Sequence, residues 1–197
     1  MAAPETFRWK PALLARADTL TVDGTRLALD DNWTLDAALV EDAAFTNQVI
    51  KGNRMVRLDL YTPELRRSIG YTGGRVGYDA DPDARTHLAA CAATLRALAL
   101  ARPGQQIALG VIRGGRWGMF LVGLGTLLGG LILAVAALAS GIGSDRLLEA
   151  AIPTLFLILL GAVLTYGNWP WRKRPRINPA ALADTLDEIL SRSAPDA

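Results

Sequence analysis

Histidine and cysteine are nearly absent from this chain: His87 and Cys91 each stand alone among 197 residues. A single cysteine excludes an intrachain disulfide and suits a reducing compartment. His87 and Cys91 sit four apart, a spacing that suits two metal ligands on a helix. No other His or Cys completes a soft site, so both are read as structural helix residues. The same scarcity, with no carboxylates paired by spacing, leaves the usual acid, base and nucleophile sets without members. No enzyme, catalytic residue, metal or cofactor is expected. Lysine is rare too, three against eighteen arginines, which with abundant Ala and Gly points to a GC-rich bacterial source. Over residues 1–110 thirteen basic residues meet thirteen acidic ones, so there is no basic field for nucleic acid.

Charge is missing altogether from two long stretches. Residues 117–144 and 150–171 contain no Asp, Glu, Lys or Arg, 28 and 22 positions respectively. Roughly 20 apolar residues cross a bilayer core as a helix, and buried helices of soluble proteins are shorter and keep a polar face. Both stretches are therefore expected to span a membrane, at 117–140 and 150–170, joined by a tight loop at 141–149. Missing intramembrane charge argues against a proton- or ion-coupled carrier.

The flanks give the orientation. Arg113 and Arg116 precede the first span and Arg172, Lys173, Arg174 and Arg176 follow the second, while the loop offers Arg146 against Asp145 and Glu149. The positive-inside rule puts both termini in the cytoplasm. Nothing in "MAAPETFRWKP" reads as a signal peptide, so the first span is expected to act as its own insertion signal. Trp117, Trp169 and Trp171, with Tyr166, fall at that cytoplasmic boundary, and with Arg172, Lys173, Arg174 and Arg176 they form the expected membrane-interface set. The segment "GNWPWRKRPRINP" is thus mainly an anchor and helix terminator, with an anionic-lipid site as its sharper reading. Within the spans, Gly125 and Gly129 make a GxxxG surface and Gly161 and Thr165 a small-xxx-small one. Counted inward from the aromatic boundary, Gly125 and Gly161 are expected to meet face to face.

Residues 1–112 read as a cytoplasmic domain able to fold alone. "TLTVDGTRLALDD" and "NQVIKGNRMVRLDLYT" are hairpins turning at Asp23-Gly24 and around Lys51 to Asn53. "ELRRSIGYTGGRVGYDAD" is expected to turn at Gly73-Gly74, with further strands in "FRWKPALLARAD" and "AALVEDAAFT". Asp81, Pro82 and Asp83 are an N-cap, a first-turn proline and a dipole complement for a helix running to Arg102-Pro103-Gly104, with Leu88, Cys91, Leu95 and Leu98 as its stripe. "DADPD" at 79–83 has Ala84 and Ala90 where a calcium loop needs Gly and Glu, so capping explains it.

Short strands followed by one amphipathic helix, over residues 12–103, resemble a pleckstrin-homology-like (PH-like) domain. With the two spans the chain resembles bacterial small membrane proteins that carry such a domain beside a transmembrane hairpin. The resemblance implies an α+β fold, a small β-barrel or sandwich closed by a helix, and a role in binding lipid headgroups, peptides or proteins. The basic cluster of a phosphoinositide site is only faintly echoed by Arg54, Arg57, Arg66, Arg67 and Arg75, and strand alternation sends Arg54 and Arg57, or Arg66 and Arg67, to opposite faces.

Residues 171–197 hold the basic juxtamembrane segment and a short amphipathic helix, "PAALADTLDEILSR", capped by Asn178-Pro179 with Leu182, Leu186, Ile189 and Leu190 on one side. Its acidic face suits docking on protein, either back on the domain or on a partner. The sequence reads as a non-enzymatic, multi-pass inner-membrane protein. Its cytoplasmic domain binds or regulates a protein or lipid partner, its spans are embedded in membrane lipids, and a homo-oligomer is possible. The competing class is a small homo-oligomeric channel or transporter subunit, in which Thr126 and Thr165 would face a pore.

Overall fold

The computed structural model describes residues 3–30, 32–74, 80–110, 115–140, 144–169, 171 and 175–192. The fold is α+β, with nine strands in two sheets and four α-helices among the described residues. Strands β1 (Glu5–Trp9), β2 (Asp18–Asp23), β3 (Arg26–Leu29) and β4 (Trp33–Asp36) form an antiparallel meander. After a 3-10 turn at Ala37–Leu39, β5 (Asp42–Ile50), β6 (Asn53–Tyr61) and β7 (Arg66–Gly74) form a second meander. Helix α1 (Pro82–Ala101) follows, then β8 (Ile107–Leu109), helices α2 (Gly115–Ala139) and α3 (Ser144–Gly167), β9 (Arg176–Ile177) and α4 (Pro179–Arg192).

Local chemistry explains most of these elements. Ile50 pairs with Asn53, and Lys51 and Gly52 between them both have positive φ, 49° and 79°, the backbone of a tight two-residue hairpin. Asp23 pairs with Arg26, so the first hairpin turns on Gly24-Thr25, one residue later than Asp23-Gly24, with Gly24 at φ 58°. Gly73-Gly74 is not a turn. Strand β7 runs through it, and Gly74 pairs with Asn53. Gly73 is needed for another reason: a Cβ there would fall 2.7 Å from a ring carbon of Tyr71, whose side chain lies across it. Asp81 caps α1, accepting from the Asp83 and Ala84 amides, and Leu88, Cys91, Leu95 and Leu98 are all buried.

The chain separates into two compact units, Met1–Val111 with Arg174–Ala197, and Ile112–Lys173. The first has a core of Trp9, Leu20 and Leu27 from one sheet, Leu58, Leu60 and Ile69 from the other, and the buried stripe of α1. Residues 1–112 are not its whole extent. Strand β8 lies parallel beside β5, β9 pairs antiparallel with β8, and α4 packs on α1 with Leu182, Ala183 and Leu186 in the core. The apolar stripe of the tail is therefore covered by its own domain. Arg85 Nη2 donates to the Leu190 carbonyl at 3.3 Å, and Arg96 pairs with Asp187.

The second unit is the α2–α3 pair. Gly123 faces Leu164 and Thr165, Leu127 faces Gly161, and Gly130 faces Ile158. One position rises as the other falls, so the helices are antiparallel. Among the described residues, Trp117–Ala139 of α2 is long and apolar enough to cross a membrane, whereas the apolar part of α3, Ala151–Gly167, has 17 residues. The expected second span at 150–170 is shortened because the helix begins at Ser144, taking Asp145, Arg146 and Glu149 into its first turns, and ends at Gly167. The loop expected at 141–149 shrinks accordingly.

The glycines that make the pair are not all the expected ones. A Cβ on Gly123 would lie 2.6 Å from the Thr165 amide nitrogen, one on Gly130 2.8 Å from Ile158 Cγ1, and one on Gly161 against the Leu127 backbone. Gly125 and Gly129 face open space, so Gly125 does not meet Gly161. The helical period puts positions 123, 127 and 130 on one face and 125 and 129 on another. Leucine at Gly123 or Gly161 should spread the helices, whereas leucine at Gly125 or Gly129 should leave the pair intact. Distances between spin labels at positions 121 and 166 should broaden and lengthen in the first two variants only.

Candidate functional site

Trp117 and Phe120, at the start of α2, and Trp169 and Trp171, beyond α3, interlock as an aromatic cluster. Trp117 meets Trp171 edge-on at 5.5 Å, Phe120 meets Trp169 and Trp171 at 5.7 and 5.9 Å, and the last two are 5.3 Å apart. Such pairs each add about 0.5–1.5 kcal/mol beyond the area they bury. Phe120 is buried beneath the cluster, while the three tryptophans keep large exposed faces. Three of the expected interface residues are thus brought together; Arg172, Lys173 and Arg174 lie outside the described residues. Arg176 is elsewhere. On β9, its guanidinium bonds Asp42 at 3.2 Å and the Gln106 carbonyl at 3.0 Å, pinning the returning chain to the sheet. Thr165 is buried at the helix contact, its hydroxyl donating to the Gly161 carbonyl at 2.7 Å, and Thr126 donates to Val122.

Two of the basic strand positions, Arg57 and Arg66, are tied up around a carboxylate that sequence reasoning missed, and Arg75 lies outside the described residues. Asp59 is fully buried and accepts from Arg57 Nε at 3.1 Å, Arg66 Nη2 at 2.9 Å and Ser68 Oγ at 2.6 Å. Register explains the set: Asp59 pairs with Ser68, and Arg57 and Arg66 lie two residues away on the same face. The hydrogen bond to Asp59 raises the Arg66 pKa further. An alternating Arg-x-Asp beside an Arg-x-Ser, read as cross-strand neighbours, is the signal that would have found it.

At the N-terminal end of α1, the Tyr71 hydroxyl donates to Asp81, and Trp9 donates to the Gly70 carbonyl at 3.1 Å. Both rings lean on His87, at 5.9 and 5.5 Å, and the Cys91 sulfur is 3.6 Å from His87 Nε2. His87 and Cys91 adjoin each other as a buried pair, and no group of three ligand-type side chains occurs among the described residues. Beside Tyr71 and Asp81 lies an open recess of about 590 Å³, lined also by Lys10, Leu13, Gly73 and Asp83. Asp83 accepts from the Lys10 amide at 3.0 Å, which fixes the loop carrying Leu13 and Leu14. Those two leucines are 93% and 98% exposed.

No family model, curated protein or solved structure matches this chain.

Burial lowers the His87 pKa from 6.5 to about 4, against a smaller opposing effect of the Ile69 backbone. The folded value lies below the unfolded one, so the unfolded chain binds the extra proton. Stability should be level above pH 6.5 and fall as the pH drops from 6.5 towards 4, by up to ~3 kcal/mol for this group. Urea unfolding in detergent micelles, followed by tryptophan fluorescence, should show that decline, and His87→Leu should flatten it.

Proposed function

We propose that this chain is a non-enzymatic, membrane-anchored binding protein. The α2–α3 pair sits in a bilayer, and a PH-like domain on the cytoplasmic side recruits or regulates a partner. One observation carries the membrane part. The apolar stretch of α2 is 11% buried, and α3 adds Ile152, Phe156 and Val163 to an exposed apolar surface that runs along both helices. A core helix of a soluble protein would be mostly covered, and soluble monomers rarely expose contiguous apolar patches beyond a few hundred Å². The 17 apolar residues of α3 are at the short end of the spanning range, which packing against α2 accommodates. The tryptophan cluster suits the headgroup region, and an antiparallel pair returns the chain to its starting side, in keeping with both termini in the cytoplasm.

Two antiparallel meanders of four and three strands followed by one helix support the PH-like reading of the domain, with β8, β9 and α4 as additions to it. For the binding surface we take Leu13 and Leu14 beside the recess at Tyr71 and Asp81. Two adjacent, fully exposed leucines on a backbone fixed by Asp83 form an apolar projection next to acidic groups, which suits a protein partner with an apolar pocket and a basic rim. Crosslinking in native membranes should trap a discrete product, and Leu13→Asp with Leu14→Asp should remove it without changing the circular-dichroism spectrum. An unchanged crosslink pattern in that folded variant would contradict this assignment.

A further inference from the structure

Strands β8 and β9 carry the chain away from the second sheet and back to it, and they do so at one end. Their antiparallel pairing sets Leu109, the last residue of β8, beside Pro175, and the Leu109 amide donates to the Pro175 carbonyl at 3.0 Å. Strand β5 runs parallel to β8 with Phe45 opposite Leu109, and the Gly110 amide donates to the Phe45 carbonyl at 2.8 Å. From that point β5 continues in the same direction from Thr46 to Ile50, then turns at Lys51-Gly52 into β6. At roughly 3.3 Å per residue, these five residues carry the hairpin tip about 16 Å past the exit of the chain. Val49 and Ile50 at the tip are each 50% exposed, and Lys51 is exposed between the strands. From Ala43 to Leu58 the hairpin contains no carboxylate.

We infer that the β5–β6 hairpin tip is a membrane contact: Val49 and Ile50 enter the boundary between headgroups and acyl chains, and Lys51 meets lipid phosphates. The inference rests on the membrane reading above, under which α2 begins at the bilayer surface. Four residues separate Gly110 from Gly115, the first residue of α2, a link that reaches at most about 18 Å. The sheet end that bears the tip is thus the end tethered to the bilayer. Chemistry agrees, since an aliphatic pair beside a lysine and away from carboxylates suits an anionic lipid surface. Two half-exposed side chains are a small surface for holding a partner from solution. The tether makes contact with lipid intramolecular, so a weak contact suffices.

The test uses the full chain in vesicles of phosphatidylcholine and phosphatidylglycerol that contain a headgroup-nitroxide lipid. Cys91 is buried, so single cysteines carry a nitrobenzoxadiazole fluorophore at chosen places. Leu65 is the matched control, 52% exposed in the connection at the opposite end of β6 and β7. The nitroxide should quench the label in Ile50→Cys and spare that in Leu65→Cys; Val49→Cys repeats the measurement should Ile50→Cys not fold. Adding Lys51→Gln should lower the ratio of quenched to unquenched label about fivefold with phosphatidylglycerol present and leave it unchanged in phosphatidylcholine alone. A label at Phe156→Cys, read with an acyl-chain nitroxide, reports the membrane reading separately. Quenching at 156 with none at 49 or 50 overturns the contact alone, and quenching at none of them overturns the membrane reading with it. Equal quenching at 50 and 65 would also overturn the inference, as would a blue-shifted label at 50 that the nitroxide spares, which reports a protein contact instead.

Discussion

Ile107 faces Ile177 and Ala108 faces Arg176 across a ladder of two register pairs, and the Leu109 amide extends it to the Pro175 carbonyl at 3.0 Å. This short β8–β9 contact joins residues about seventy positions apart in sequence. Strand β8 is itself held by its parallel pairing with β5, through Ala44 with Ala108 and Phe45 with Leu109. Once β9 is seated, Asn178 follows directly as the cap of α4, accepting from the Ala180 amide at 2.8 Å, so α4 starts where its stripe meets α1. The Arg176–Asp42 pair adds a charged clasp. Half-exposed, it is worth at most about 1 kcal/mol, less than the burial of Ile107 and Leu186 that the same seating produces. The helix pair is an insertion between two adjacent strands of one sheet.

The two units treat apolar surface in opposite ways. In the domain most large apolar side chains of the sheets and of α1 are buried, and several buried polar groups are matched: Asp59 by three donors, Tyr71 by Asp81, Thr94 by the Ala90 carbonyl. In the α2–α3 pair glycines of each helix receive Leu127, Ile158 and Leu164 of the other, and most of the remaining leucines, valines and isoleucines point outward. Outward leucine and inward glycine favour close approach of two helices where the solvent is hydrocarbon, because little hydrophobic force remains to join them. The same arrangement in water would expose a surface that drives aggregation.

Much of the fold was legible where one residue decides local geometry. Gly52, the Asp81-Pro82 cap and the 88-91-95-98 stripe were read from spacing alone, and each has the expected structure. What was missed depends on long-range pairing. Strand β8 is three residues and β9 two, too short for any alternation to register, and only the sheet they join gives them meaning. The Gly73-Gly74 turn was misread because glycine pairs signal turns far more often than room for a neighbouring ring. GxxxG spacing identified α2 as a packing helix but could not choose between faces: Gly125 and Gly129 fit the motif, while the contact uses Gly123, Gly130 and Gly161. That Trp117, Trp169 and Trp171 lie at the helix ends was legible from position; their assembly around Phe120 was not.

Everything turns on whether the outward faces of α2 and α3 meet lipid. Cys91 is the sole cysteine, fully buried, with its thiol pKa pushed up by burial, so the native chain is silent to thiol reagents. Single cysteines placed at Leu13, Leu128 and Phe156, all exposed in the structure, can therefore be compared directly. A charged, membrane-impermeant maleimide applied to inside-out vesicles should label the Leu13 position and leave positions 128 and 156 unmodified until the bilayer is dissolved. Equal labelling at all three positions in intact vesicles would contradict a membrane-embedded helix pair.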